Sequence, residues 1–233
     1  TDLLNNVITP MGANFGNQIL TNIGSMQNKG IEFSLNVVPV QTKDWHLSIG
    51  FNGTFQETKI TKLNTSDDPR YKEMVVGISK GTGSKFSFHK VGYAPYTYFP
   101  FQQVYDADGK PIQNALVDRD GDGKITELDR YESGKSPIPG FYYGLNLKLS
   151  YKNWDFGING HGNADYWIFN DFASEHSTSS VDVNAGLLPN FAMLVKQTGF
   201  TKPNSGEQYY SDLFLENASF FRLDDINLGY TFR

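Results

Sequence analysis

Hydrophobic and polar residues alternate strictly along segment 141–161 (FYYGLNLKLSYKNWDFGINGH). Up to Tyr151 the odd positions are all aromatic or aliphatic, whereas the even positions include Gly, Asn, Lys and Ser. After Lys152 and Asn153 the apolar residues move to the even positions. A period of two predicts a β-strand, and a change of parity across a two-residue turn keeps each face on the same side. The segment therefore predicts an antiparallel hairpin with one apolar and one polar face.

The length of the first strand in this hairpin favours a membrane barrel. Eleven residues at roughly 3.3 Å each reach about 36 Å, and a tilt of about 45° leaves roughly 25 Å, the height of the apolar band of an outer-membrane barrel. Strands of soluble sandwiches usually have about five or six residues. Tyr151 and Trp154 flank the turn, where such barrels carry an aromatic girdle. Taken alone, the hairpin is equally compatible with a soluble antiparallel sheet that has one solvated face.

Three further segments, 29–37, 45–56 and 219–232, repeat the alternation. Their apolar positions are Ile31, Phe33, Leu35 and Val37; Leu47, Ile49, Phe51 and Phe55; and Ile226, Leu228, Tyr230 and Phe232. Residues 1–4 are interpreted as the remnant of another strand, and 5–21, which contain one proline and two glycines, as a loop. The predicted fold is all-β, an antiparallel sheet of about five long strands.

Short and long connections alternate between these strands. Short turns are predicted near residues 41 and 153, whereas 62–140 and 162–212 are long excursions. Outer-membrane barrels have short periplasmic turns and long extracellular loops, and a closed single-chain barrel needs at least about eight strands. The chain is therefore expected to be a transmembrane β-barrel segment with long extracellular loops, its apolar face against outer-membrane lipid, within a larger barrel.

The first excursion carries a cluster of aromatic residues. Tyr93, Tyr96, Tyr98, Phe99 and Phe101 fall within nine positions. They could form a ligand-stacking surface, or the loop could pack a small core of its own, and the second interpretation is favoured. In the other excursion, residues 192–198 predict a short helix that ends at a glycine.

Composition and motifs exclude several classes of function. The chain of 233 residues has no cysteine, which removes disulfides and thiolate chemistry. A net charge of -5 argues against nucleic acid as a partner. No run of about 18 apolar residues is present, so no transmembrane helix is predicted. The four histidines are isolated, and no nucleophile elbow, zinc-helix signature or phosphate loop occurs, so the protein is not expected to be an enzyme.

Residues 118–129 (DRDGDGKITELD) fit a twelve-residue calcium loop. Calcium takes about six to eight oxygen ligands, and carboxylates at positions one, three and five converge when a glycine permits the sharp turn. The predicted metal ligands are Asp118, Asp120, Asp122, the backbone carbonyl of Lys124, and Asp129. Position twelve is usually a bidentate glutamate, so the shorter Asp129 weakens the match. A structural Ca²⁺ pinning an outer loop is favoured over a turn whose carboxylates cap backbone N–H groups.

Several short strings occur in a fixed order along the chain. They are NIG at 22–24 with NKGIE at 28–32, VGY at 91–93, DRDGDGKITELDR at 118–130, PIPGF at 137–141, and SFFRLDDINLGY at 219–230. In sequence and order they resemble the SusC/RagA family of TonB-linked outer-membrane proteins. Together the strings span almost the whole chain, which makes the resemblance far more specific than any single string.

This resemblance implies a larger protein in the cell outer membrane. Residues 1–233 would be the C-terminal part of a barrel of about 22 strands, with the plug domain and the last strands absent from this sequence. Such a transporter imports oligosaccharides or peptides under a SusD-like surface lipoprotein and is energised by TonB through the absent N-terminal part. The two long excursions would face the lipoprotein and substrate. Asn52, Gln56, Asn146 and Asn159 would face the lumen and suit sugars or peptides alike.

A second class of function is kept beside the transporter. The chain could be a soluble calcium-dependent carbohydrate-binding β domain in which the aromatic excursion binds sugar. The two classes differ in whether the apolar strand faces contact lipid or a second layer of protein.

Overall fold

The computed structural model describes residues 2–8, 18–63, 73–79, 85–179 and 193–232, and most of them are in β-strands. The strands are β1 Asp2–Ile8, β2 Gln18–Gln41, β3 Trp45–Lys62, β4 Glu73–Ser79, β5 Lys85–Lys90, β6 Thr97–Tyr98, β7 Gln103–Tyr105, β8 Pro111–Leu116, β9 Phe141–Tyr151, β10 Trp154–Ala164, β11 Trp167–Phe169, β12 Leu215–Asn217 and β13 Phe220–Tyr230. The α-helices are α1 Asp171–Glu175 and α2 Met193–Thr198. Single 3₁₀ turns cover Glu127–Asp129, Gln208–Tyr210 and Asp212–Phe214. Among the described residues no helix is long and apolar enough to cross a bilayer.

The main sheet has the strand order β1-β2-β3-β9-β10-β13, and every adjacent pair is antiparallel. Its five long strands, β2, β3, β9, β10 and β13, contain the predicted hairpin and the three further predicted segments. Short turns connect β2 to β3 and β9 to β10. Long connections join β3 to β9 and β10 to β13, as predicted.

The predicted loop at 5–21 is wrong at both of its ends. β1 continues to Ile8, and β2 begins at Gln18, and the rest of the predicted loop lies outside the described residues. The two strands pair with each other from Asp2↔Ser25 to Ile8↔Gln18. Backbone hydrogen bonds between neighbouring strands satisfy polar sequences as well as apolar ones. Side-chain composition therefore does not mark where these strands extend beyond the apolar rows.

The two short turns lie where they are predicted. β2 runs through Gln41, so the first turn is only three residues long, and the Thr42 hydroxyl accepts a hydrogen bond from the N–H of Trp45 at 3.0 Å. The second turn contains Lys152 with a positive φ of 52°, the left-handed conformation that a two-residue hairpin turn needs. The Lys152 N–H donates to the Asp44 carbonyl at 2.8 Å, which joins the two turns at one end of the sheet.

A β-bulge in β13 keeps its apolar residues on one face. Asn159 pairs with Asp225, but the next residue, Gly160, pairs with Leu223, so Asp224 is the extra residue. A single inserted residue reverses the side-chain parity of a strand. Leu223 therefore lies on the same face as Ile226, although the two are three positions apart.

Apolar residues form continuous rows across the five long strands. One row runs through Val37, Ile49, Leu147, Ile158 and Ile226. No second layer of described residues covers these rows, and the side chains at the sheet edges are largely solvent-accessible, with 71% exposure at Ile31 and 68% at Leu228. An exposed apolar surface of this extent is abnormal for a water-soluble protein and normal for the outside of a membrane barrel. The predicted apolar outer face is confirmed, and its contact with lipid stays a prediction.

Aromatic rings border the apolar rows at both ends. Next to the short turns, the ring centroids of Trp45 and Tyr151 are 4.1 Å apart and those of Trp154 and Tyr230 are 4.7 Å apart. At the other end Phe55 stacks on Phe141 at 4.2 Å. Ten residue steps along β9, about 33 Å, separate the two belts, and a tilt of about 45° reduces this to roughly 23 Å, close to the apolar band of about 25 Å of such barrels. The spacing matches the apolar thickness of an outer membrane.

Rings also cover the glycines that interrupt the apolar rows. A Cβ on Gly53 would lie 2.6 Å from the Phe33 ring, and one on Gly162 would lie 2.4 Å from the Tyr143 ring. Larger residues at these glycines would displace the rings, so the apparent gaps in the apolar pattern are filled by neighbouring strands.

The two long excursions fold together into a loop domain, defined here as the described residues within 85–139 and 165–217. Its core contains Phe86, Tyr98 and Phe101 from the first excursion and Phe169 and Phe214 from the second. The N–H of Phe101 donates to the carbonyl of Tyr210 at 3.0 Å, which adds a backbone link. The preferred interpretation of the aromatic cluster, a core of its own, is confirmed for Tyr98 and Phe101.

Polar side chains inside the loop domain are also paired across the two excursions. The buried amide of Gln208 donates to the side-chain oxygen of Gln103 at 2.6 Å. Asp212 accepts hydrogen bonds from the Gln103 N–H at 2.9 Å and the Tyr131 hydroxyl at 2.8 Å. Helix α2 ends before Gly199, whose φ is 70°, as predicted, and the proposed first residue of this helix, Ala192, lies outside the described residues.

Candidate functional site: the inner face and the acidic loop

The face of the sheet opposite the apolar rows carries amide, hydroxyl and charged side chains. The register aligns Gly50, Asn146, Asn159 and Asp225 in one row across the sheet. The Asn146 amide donates to Asn159, and the Asn159 amide donates to Asp225 Oδ1 at 2.6 Å. Asn227 donates to the other carboxylate oxygen at 3.0 Å. This amide ladder, Asn146, Asn159, Asp225 and Asn227, links β9, β10 and β13 on the hydrated side.

The residues predicted to face the lumen all lie on this inner face. Asn52 is aligned with Gly144 across β3 and β9. Gln56 donates to the Tyr142 hydroxyl at 3.2 Å and to the Pro139 carbonyl at 3.3 Å. Because lipid cannot hydrogen-bond these groups, the inner face must contact water, other protein or a polar ligand.

The row next to the ladder, toward the loop domain, contains Asn52, Gly144, His161 and Arg222. His161 Nδ1 lies 2.7 Å from Asp224 Oδ2. Asp224 reaches this face because it is the bulge residue of β13. The sequence places Asp224 and Asp225 together at a strand end and offers no sign that both side chains serve the inner face.

The structure brings together three of the predicted metal ligands in the acidic loop, residues 118–129. Carboxylate oxygens of Asp118, Asp120 and Asp129 all lie within 4.8 Å of one another. Gly121 and Gly123 have positive φ values of 76° and 81°, so both permit the tight curvature of the loop. The loop connects a strand to a single 3₁₀ turn, in agreement with a calcium loop that is not part of an EF-hand.

Asp129 is the buried member of the cluster. Its oxygens accept hydrogen bonds from the backbone N–H groups of Arg119 at 2.6 Å and Thr126 at 2.7 Å. These hydrogen bonds hold the pKa of Asp129 below its ordinary value, so the carboxylate stays ionised. The N–H of Thr126 has the largest effect, followed by that of Arg119. Thr126 and Asp129 also form a reciprocal capping box around the 3₁₀ turn.

The remaining two predicted ligands are held differently. Asp122 Oδ1 accepts the N–H of Lys124 at 2.7 Å, and Asp122 is not part of the three-carboxylate cluster. Its role and that of the Lys124 carbonyl as ligands stay predictions.

The carboxylates of the cluster repel one another. The backbone N–H of Asp122 lowers the pKa of Asp120, but desolvation and the carboxylates of Asp122, Asp129 and Asp118 outweigh it and raise the pKa above its ordinary value. The nearby Arg119 guanidinium instead donates to Gln102 at 2.6 Å. Converging carboxylates that repel one another are suited to a hard cation such as Ca²⁺.

Arg130, immediately after the acidic loop, anchors that loop to the core of the loop domain. The buried guanidinium lies over the rings of Phe101 and Tyr210, with its central carbon 4.8 and 5.2 Å from their centroids. Its Nη1 donates to the Phe99 carbonyl at 3.2 Å, and Nε lies 2.7 Å from Glu127 Oε2. Arg130 closes the string at 118–130, but its anchoring role was not predicted, because only tertiary contacts distinguish it from a solvated arginine.

Comparison with known proteins identifies the setting of these surfaces. Over 235 aligned residues and the whole chain, the sequence is 41% identical to the TonB-dependent receptor SusC of Bacteroides thetaiotaomicron. The chain belongs with the SusC-like TonB-dependent receptors. This SusC-like chain is also 26% identical, over 91% of its length, to the TonB-dependent receptor P3 of Formosa agariphila. No family model matches it.

The chain spans about a quarter of the length of these relatives, 23% of SusC and 22% of P3. Among solved structures, the SusC-like chain is similar to the RagAB peptide transporter, with a TM-score of 0.71 and 22% identity. The match covers 98% of the SusC-like chain and 25% of the transporter chain. The RagAB peptide importer in its open-open state also matches with a TM-score of 0.71. These matches confirm the predicted antiparallel barrel fold. The relationship to SusC confirms the family and the outer-membrane location, and the relatives are receptors and transporters rather than enzymes.

Proposed function

We propose that this chain forms part of the barrel wall and the extracellular loops of a TonB-dependent transporter that imports oligosaccharides or peptides. The observation that supports this proposal most directly is that the two faces of the sheet differ. One face has uncovered apolar rows between two aromatic belts, and the opposite face is rich in amide side chains. The 41% identity to SusC and the fold shared with a RagAB peptide transporter support the same assignment. In this arrangement the loop domain lies outside the cell, near a SusD-like lipoprotein that captures substrate.

Uptake by the full-length receptor tests this proposal. Deleting its gene should abolish growth on one or more of a panel of neutral oligosaccharides and peptides, and removing TonB should give the same defect because import needs energy. The expected control is unchanged growth on a monosaccharide that enters by diffusion. Recovery of the receptor in the soluble fraction, or growth equal to wild type across the panel, would contradict the proposal.

The acidic loop is proposed to hold a structural Ca²⁺, with Asp118, Asp120 and Asp129 as carboxylate ligands. The ion would neutralise their mutual repulsion. Because Arg130 connects the loop to the aromatic core, the same ion would stabilise the loop domain rather than take part in chemistry. In the alternative function, a soluble carbohydrate-binding domain, the calcium ion would instead take part in binding sugar.

Calcium is expected to protect the acidic loop from proteolysis in the full-length receptor. At a concentration one hundred times its Kd, an ion that binds only the folded loop stabilises it by about 2.7 kcal/mol, about a 100-fold fall in the open population. Cleavage within 118–130, read by mass spectrometry with calcium or with chelator, measures this effect. Asp118→Asn combined with Asp120→Asn should abolish the difference.

Asp106→Asn is the matched control, because Asp106 also caps backbone N–H groups, those of Asp108 at 3.0 Å and Lys110 at 2.8 Å, but lies outside the cluster. This variant should keep the full calcium response. Identical cleavage of the wild type with calcium and with chelator would show that the carboxylates serve only as caps.

A further inference from the structure

A small recess opens on the inner face of the sheet. Its volume is about 240 Å³, below the range of about 300–1,000 Å³ of cavities for drug-sized ligands, and therefore suited to a single ring. The residues around it are Asn52, Gly53, Thr54, Tyr142, Tyr143, Gly144, His161, Gly162 and Asn163. Gly144 lies between Asn52 and His161 in their cross-strand row, and its missing side chain creates the floor. A Cβ there would lie 2.3 Å from Asn52 Oδ1.

Hydrogen bonding distinguishes the recess from the neighbouring amide ladder. Each ladder amide donates a hydrogen bond to another ladder residue, so these donors are used within the wall. The side chains of Asn52 and Asn163 have no hydrogen-bond partner among the described residues. Asn52 is exposed and Asn163 is half-buried, so both amides line the recess with free donor and acceptor atoms that a ligand can reach.

His161 is held in a fixed orientation at the edge of the recess. Its Nδ1 contacts Asp224 at 2.7 Å, and the Phe220 ring packs edge-on at 5.9 Å between centroids. A carboxylate oxygen accepts a hydrogen bond, so Nδ1 is the donor to Asp224 and Nε2 is the ring nitrogen turned away from it. The contact with the bulge residue Asp224 thus fixes the orientation of His161 and leaves Nε2 available to a ligand.

The chemistry of the recess matches a neutral, hydroxyl-rich ring. An amide donates and accepts at adjacent atoms, as does each hydroxyl of a sugar. The Tyr142 ring adds an apolar wall, and its hydroxyl already accepts from Gln56, so it can donate to a ligand. Arg222 and Asp224, which lie beside His161, carry opposite charges 3.9 Å apart. A net-charged ligand would therefore find no uncompensated partner there.

We infer that this recess is a subsite for one neutral sugar residue of an oligosaccharide moving along the barrel wall. The inference rests on the proposed transport function and narrows its substrate class. Strands β3, β9 and β10 supply the contacts, and β13 supplies the support through Asp224.

Gly144→Ala tests the subsite by filling its floor and displacing the Asn52 amide. The full-length receptor in detergent is titrated with a panel of neutral oligosaccharides (α-glucan, mannan, galactan, xylan and levan) and with neutral peptides of equal length. We expect at least one oligosaccharide to bind. Gly144→Ala should weaken its affinity by about tenfold or more, the loss expected when one or two hydrogen bonds cannot form. Asn52→Ala and His161→Phe should each weaken it without filling the floor.

Gly157→Ala is the matched control. Gly157 is also an inner-face glycine beside an asparagine, and a Cβ there would lie 2.7 Å from the Asn227 side chain, but it does not line the recess. This variant should bind like wild type, and thermal unfolding identifies any variant that fails to fold. Equal affinities for Gly144→Ala, Asn52→Ala and wild type would overturn the subsite while leaving transport intact. Weakened peptide binding instead would overturn the sugar assignment. If the wild type and the deletion strain grew equally on every oligosaccharide and peptide, the proposed transport function itself would have failed.

Discussion

A lysine in place of Leu147 is expected to lower the stability of the inserted barrel by about 2–4 kcal/mol, the cost of a cation at the bilayer midplane of such proteins. Leu147 lies in the apolar row between Ile49 and Ile158, four residues from Tyr151 in one aromatic belt and four from Tyr143 near the other. The midpoint of the strand gives the ammonium group the longest path to water. No described residue covers the apolar row or offers a carboxylate there.

Guanidinium unfolding of the full-length receptor in phospholipid vesicles measures this cost. Leu147→Met serves as the control, since it conserves volume and should cost less than about 1.5 kcal/mol. The neighbouring Lys148 shows that a lysine is accepted on the inner face one position away. Equal midpoints for Leu147→Lys and Leu147→Met would show that the apolar rows do not face lipid.

Phe86→Ala is expected to destabilise the loop domain by about 3–5 kcal/mol, the usual cost of removing a buried aromatic ring. Phe86 is fully buried, and its ring centroid lies 4.2 Å from that of Phe169 and 5.4 Å from that of Tyr98. It therefore contacts both long excursions at once. Its loss should let the excursions separate while the strands of the main sheet stay paired.

Hydrogen exchange resolves this local effect in the full-length receptor. In Phe86→Ala, backbone amides of the loop domain such as those of Phe101 and Asp212, which bond across the two excursions, should exchange much faster. Phe172→Ala is the matched control, because Phe172 belongs to the same domain but is 65% exposed, and its change should stay within about 0.5 kcal/mol. If both variants exchange alike, the loop domain does not depend on this shared core.

The transmembrane surface is the part of this protein that its sequence specifies most completely. Strict alternation over 141–151 shows the two faces because the side-chain period of a strand is fixed by its backbone. The aromatic residues beside the short turns show the membrane boundary for the same local reason. The hairpin at Lys152, the five long strands and helix α2 were likewise predictable, since each depends on neighbours in sequence.

Strand ends and register were less accessible. The extensions into β1 and the start of β2 are held by backbone hydrogen bonds between strands, which leave no mark in hydrophobicity. The bulge at Asp224 breaks the alternation of β13, and only its pairing with β10 shows which side chains share a face.

The two candidate sites differ in the same way. The acidic loop is contiguous, so the spacing of Asp118, Asp120 and Asp129 is visible in the sequence and their convergence was predicted. The recess draws Asn52, Gly144 and His161 from three strands, whose order in the sheet no local pattern specifies. The sequence by itself determined what each strand presents to lipid and to water, because that depends on alternation within one strand. Only the tertiary structure decided which polar residues meet across strands and how the excursions share a core, because those contacts join residues far apart in the chain.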